Sequence, residues 1–178
     1  IAYIHGFNSS PASFKAALLQ RELEHRVPGA VFVAPALPPS PAAASRLLAE
    51  LALEHPRAAL VGSSLGGFYA TWLAERCALG AVLVNPAVRP YDLLAGEVGR
   101  QRNFHTGQEY DFTAQHLAEL RALEVDAVTP ARYLLLAAQG DEVLDYRHAV
   151  ARYRGARQIV IEGSDHGLGD FGRYLDAV

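Results

Sequence analysis

The chain has 178 residues, enough for one domain, and its 51% apolar and 20% charged residues are ordinary globular usage, which excludes a disordered polymer. A net charge of −3 without long runs of one sign excludes the basic footprint of a nucleic-acid binder. No apolar run approaches the roughly 18 residues of a membrane span, and the single cysteine, Cys77, excludes an internal disulfide.

The chain opens on an apolar run, Ile1–His5, that predicts a strand. Ser10-Pro11 then reads as a helix start, a capping hydroxyl followed by proline in the first turn. Phe14, Leu18, Leu19 and Leu23 continue that helix on one face. Val31–Ala34 predicts a second strand, followed by a stiff loop around Pro35, Pro38, Pro39 and Pro41. Ser40-Pro41 repeats the start signal before a helix over Ala42–Glu54. Ala58–Gly62 predicts a third strand and Leu65–Arg76 a helix, with Cys77 expected on it as a small buried hydrophobe. Ala81–Asn85, Tyr133–Ala138 and Gln158–Glu162 complete six strands, with helices over Arg147–Tyr153 and Gly169–Ala177.

These strands are short and almost unbroken by polar residues, as strands covered on both faces are. Their alternation with helices predicts an α/β chain: one mostly parallel sheet of about six strands with helices on both faces, in a single domain over 1–178. From Arg89 to Pro130 the alternation breaks and no clear strand is legible. An insertion of this length is expected to be a lid or binding segment, with an extra helix pair packed on the sheet edge as the alternative. In parallel sheets the ligand site lies beyond the carboxyl ends of the strands, so functional residues are sought there.

Gly62-Ser63-Ser64-Leu65-Gly66-Gly67 follows the third strand and opens a helix. Strand, sharp turn and helix around G-x-S-x-G is the context of a nucleophile elbow, with Ser64 as the nucleophile. It is neither G-x-G-x-x-G nor a P-loop, which argues against phosphate binding. A serine needs a base, and in this elbow class the acid and the histidine follow it in the chain. Asp141 lies nearest the end of Tyr133–Ala138 and is the best acid, with Glu142 and Asp145 as rivals; Asp145 also fits a helix cap. His166 follows the last strand and is the expected base. His25 and His55 end helices, His105 and His116 lie in the insertion, and His148 sits within a helix. Asp165 is read as a loop hydrogen-bonder. The backbone N–H groups of Phe7 and Leu65 are the expected oxyanion donors, with His5 bracing the first loop. No His/Asp/Glu cluster suggests a metal, and no cofactor is implied.

Taken together, Tyr3–Pro11, Gly62–Gly67, Val84–Pro90, Thr106–Tyr110 and Gly140–Tyr146 resemble the YqiA-type small esterases, a family of the α/β-hydrolase fold. The resemblance covers nearly the whole chain. It implies hydrolysis of carboxylic esters or acyl thioesters, acyl-CoA among them, with Ser64, Asp141 and His166 as the triad. The stretch Ser164–Leu168 departs from the family pattern, which carries Asn before the histidine and an aromatic after it. A non-catalytic acyl-binding protein on the same scaffold is the alternative, and amide or lactone cleavage a third reading. The partner expected is a small acyl substrate, not nucleic acid. A cytoplasmic location is the default expectation, because no basic-then-apolar leader opens the chain. The chain holds no methionine, so its natural start is expected upstream.

Overall fold

The computed structural model describes residues 1–178. Five parallel strands form the main sheet in the order β1-β2-β3-β6-β7: β1 (Ala2–Ile4), β2 (Leu60–Ser63), β3 (Ala81–Val84), β6 (Tyr133–Ala138) and β7 (Arg157–Ile161). This is one strand fewer than the sequence predicts. Val31–Ala34 contributes only a parallel bridge, Val33 beside Ala2, on the outer side of β1. The prolines immediately downstream account for this: Pro35, Pro38 and Pro39 lack the N–H that a longer ladder needs.

Side chains alternate across the sheet as the pleat requires. Tyr3, Val61, Val84, Leu134 and Leu136 point to one face, where α1 (Phe14–Arg26) and a 3₁₀ turn at Phe171–Tyr174 cover them. Ile4, Leu60, Leu83, Leu135 and Ala137 point to the other, against α2 (Pro41–Glu54), α3 (Leu65–Cys77), α5 (Ala114–Ala122) and α6 (Tyr146–Arg152). Both faces are therefore dry, which is why the strands read as unbroken apolar runs.

Several local expectations are corrected. The first helix starts at Phe14, because Ser10 accepts from the Ala12 N–H and closes a turn instead of a cap. Ser40 does cap α2, accepting from Ala43, with Pro41 in the first turn. Asp145 caps α6. The last predicted helix is only the 3₁₀ turn, in a stretch interrupted by Gly169 and Gly172. Cys77 is exposed at the end of α3, not buried.

The segment 89–130 does contain strands: β4 (Gly99–Arg102) and β5 (Glu109–Phe112) form an antiparallel hairpin. It sits between a short helix, α4 (Pro90–Leu93), with a 3₁₀ turn behind it, and α5. Its exposed, polar residues hide the period-2 signal: only Phe112 of the eight strand residues is buried. The base of the insertion is firmly seated, with Tyr91, Phe112 and Leu120 in the core. The hairpin tip, with Phe104 at 82% exposure, is not.

β1 is where the connection reverses. The chain leaves it through α1 on one face to reach Val33 on its outer side, then returns through α2 on the other face to β2. Such a reversal opens a crevice at the carboxyl end of the sheet.

Candidate active site

Ser64 stands between β2 and α3 with φ +54° and ψ −121°, a strained conformation for a residue with a side chain. Tertiary contacts hold it there. Its N–H donates to the Val84 carbonyl (3.0 Å), and its own carbonyl accepts from Gly67 and Ala87 (2.9 and 3.0 Å). The turn closes only because its flanks are bare: a Cβ on Gly66 would overlap the Ile4 carbonyl, and one on Gly62 the Gly66 carbonyl. That close approach at Gly66 brings the end of β1 against the elbow, so that a Cβ on Gly6 would lie 3.2 Å from the Ser64 Cβ.

His166 Nε2 lies 3.1 Å from Ser64 Oγ, and His166 Nδ1 lies 2.8 Å from Asp141 Oδ2. An ionised carboxylate can only accept, so Nδ1 carries the proton and Nε2 is free to accept the serine hydroxyl. The Asp141 side chain is 2% exposed and that of His166 20%, so the acid is shielded while the imidazole can be reached. Burial alone would push the Asp141 carboxyl up. The bond from His166 and the N–H groups of Leu144 and Val143 outweigh it and hold the carboxyl below its ordinary value. Of the rival acids, Glu142 accepts from the His166 backbone N–H (3.0 Å) and Asp145 serves α6. Asp165 accepts from the Gly169 N–H within its own loop.

On the opposite side lies the loop after β1. His5 is buried, its Nδ1–H directed to the Gly6 carbonyl (3.0 Å), while Nε2 accepts from Leu37 (3.2 Å). Burial lowers its affinity for a proton, so it braces the loop as a neutral ring. The N–H groups of Phe7 and Leu65 donate to no group of the protein. Leu65 opens a 13-residue helix, whose first N–H groups have no internal partner and whose dipole favours negative charge. Both residues, with Ser64 and His166, line a cavity of about 380 Å³ that is walled by Ala87, Leu93, Leu94 and Leu144. Asn8 and Gln101 add polar groups to it.

Sequence reasoning missed the residues that hold this arrangement together. Asn8 donates to Gln101 and accepts from Tyr110, tying the first loop to the hairpin (3.0 and 2.6 Å). Asn103 donates to the Ser9 carbonyl (2.7 Å). Lys15 donates to the Gly167 carbonyl, and Asn85 binds the loop that carries His166. Asn85 was within reach, since it directly follows a strand; the others carry no local signal. The chain has no group of three or more His, Cys, Asp or Glu side chains suited to a metal, and no helix is long and apolar enough to cross a membrane.

The model of an uncharacterised protein family, UPF0227, matches residues 1–178. Among solved structures, a protein of Agrobacterium vitis S4 superposes with a TM-score of 0.80 at 19% identity, covering 99% of this chain and 85% of its own. Est1E from Butyrivibrio proteoclasticus gives 0.75 at 16%, covering 99% and 83%. A monoacylglycerol lipase of Paleococcus ferrophilus gives 0.70 at 16%, covering 99% and 90%. The fold is that of the α/β-hydrolases.

Proposed function

The chain belongs to the UPF0227 family, and from that premise we propose that it is a serine hydrolase cleaving carboxylic esters or acyl thioesters, acyl-CoA among them. The observation that carries this reading is the unbroken hydrogen-bonded line from Asp141 through His166 to Ser64. The apolar cavity that opens on Ser64 suits an acyl chain. Its likeness in fold to a protein named a monoacylglycerol lipase is consistent with an ester substrate.

In this mechanism, Ser64 Oγ attacks the acyl carbonyl carbon while its proton passes to His166 Nε2. Asp141 keeps the imidazole in the tautomer that can accept and stabilises the imidazolium that forms. The carbonyl oxygen becomes an oxyanion between the N–H groups of Phe7 and Leu65, a pair whose members are each typically worth about 10²–10³ in kcat. Collapse expels the alcohol or thiol, which takes the proton from His166. Water, deprotonated by the same nitrogen, then releases the carboxylic acid and restores Ser64.

The test is hydrolysis of p-nitrophenyl butyrate by wild type and Ser64→Ala, with fluorophosphonate labelling alongside. Wild type is expected to turn over and to be labelled. The variant should escape labelling and keep only about 10³–10⁴ over the uncatalysed rate. Equal turnover by both proteins would sink the assignment. A folded wild type that neither hydrolyses nor takes the label would favour an acyl-binding protein on the same scaffold.

A further inference from the structure

Asn85 ends β3 in the left-handed region, at φ +42°, and is 4% exposed. Its side chain makes three hydrogen bonds, all to other elements. Oδ1 accepts from the Ala138 N–H (2.8 Å), at the end of β6. Nδ2 donates to the carbonyls of Asp165 (3.1 Å) and His166 (2.9 Å). Two carbonyls need a donor and an N–H needs an acceptor, so the amide has one orientation only. Its backbone N–H, meanwhile, is tied to Leu136 (2.9 Å).

The loop that carries His166 has no strand or helix pairing of its own through residues 162–170. Beyond the His166 bonds to Asp141 and Ser64, its other long-range hydrogen bonds come from Glu142, an exposed carboxylate, and Lys15, a long half-buried side chain near the surface, while Leu168 seats the loop in the core. Asn85 is a buried polar clamp on the backbone on either side of the His166 side chain, and it links the base loop to the end of the strand that leads to Asp141. We propose that Asn85 is a positioning residue that sets the distance of His166 from both Ser64 and Asp141; the proposal rests on the serine-hydrolase reading given above.

Asn85→Gly removes the clamp without straining a positive φ. Asn85→Asp keeps the acceptor for Ala138 but sets a carboxylate oxygen against two carbonyl oxygens. A catalytic group misplaced by about 1 Å can cost about 10²-fold. Both variants, shown folded by circular dichroism, should therefore lose roughly 10–100-fold in kcat on p-nitrophenyl butyrate, with KM within about twofold of wild type. If Asn85→Gly does not fold, Asn85→Asp carries the test. The low-field NMR signal of the His166 Nδ1 proton reads the clamp without substrate and should shift or broaden in either variant. An unchanged kcat, or a loss matched by a rise in KM, overturns the proposal. If wild type itself shows no Ser64-dependent turnover, the hydrolase reading is what fails. The low-field signal then decides alone, and its persistence unchanged in the folded variant overturns the positioning role.

Discussion

Single residues at this site are held where isolated chemistry would not leave them. Ser64 sits at a positive φ, the Asp141 carboxyl is held below its ordinary value although burial opposes this, and burial holds His5 below the ordinary histidine value of 6.5. His5 gives a sharp test. The folded protein protonates it at lower pH than the unfolded chain does, so the unfolded state binds more protons just below pH 6.5. Stability must then fall as the pH drops from 6.5 toward the lowered value. Thermal melts between pH 8 and pH 5 should show wild type losing Tm in that window. In His5→Gln the dependence should be shallower, whatever its Tm at pH 8. Parallel curves for the two proteins would mean that the ring is not held neutral.

At the scale of elements, the insertion between β3 and β6 divides into two parts. Its base is core: Tyr91, Phe112 and Leu120 are all buried, and α5 reaches across to α2. There Glu119 accepts from Ser40 Oγ and the Ala42 N–H (2.9 and 3.0 Å). This carboxylate from a distant helix supplements Ser40 at the start of α2, where the first N–H groups have no internal partner. Removing it by Glu119→Ala should cost about 1 kcal/mol, by analogy with a lost cap. Urea unfolding would measure this as a lower midpoint with an unchanged slope; no change would place the contact among the neutral surface pairs. The rest of the hairpin, beyond Phe112 and its edge-on contact with Phe7, meets the β1 loop through a few polar bonds at Asn8, Ser9 and Phe104. Its tip borders the cavity that opens on Ser64. Phe104, at its tip, lines that cavity while largely exposed.

Across the whole molecule, every strand of the main sheet leads at its carboxyl end to one residue of the candidate site. β1 leads to Phe7, β2 to Ser64, β3 to Asn85, β6 to Asp141 and β7 to His166. The sheet therefore fixes the site's dimensions, and the site inherits the rigidity of the core beneath it. Leu135 is fully buried in the middle of β6. Leu135→Ala should destabilise the protein by about 2–5 kcal/mol, measured by urea denaturation. Below the new transition, KM and kcat should stay near wild type, because Leu135 lies in mid-strand and not at the carboxyl end that leads to the site. A cost under about 1 kcal/mol would mean that the cavity collapses and the core is more plastic than its packing suggests.

The sequence by itself determined the class of fold and named the candidates for the chemistry. Doubly covered strands must be apolar throughout, a sharp strand-to-helix turn must be lined with glycine, and residues placed just after strands lie at one edge of a parallel sheet. These are local requirements, written in adjacent residues, and they were enough to nominate Ser64, His166, Phe7 and Leu65, and Asp141 ahead of Glu142 and Asp145, as candidates. The tertiary structure decided what depends on residues far apart in the chain. It decided that Val31–Ala34 pairs for one bridge only, and that the polar segment around Gly99–Phe112 folds as a hairpin. It also gave Glu142 to the His166 backbone and Asn85 to the base loop. A side chain's hydrogen-bond partner across some 80 residues leaves no period or spacing in the sequence, because it is chosen by the packing of whole elements and not by the neighbours along the chain.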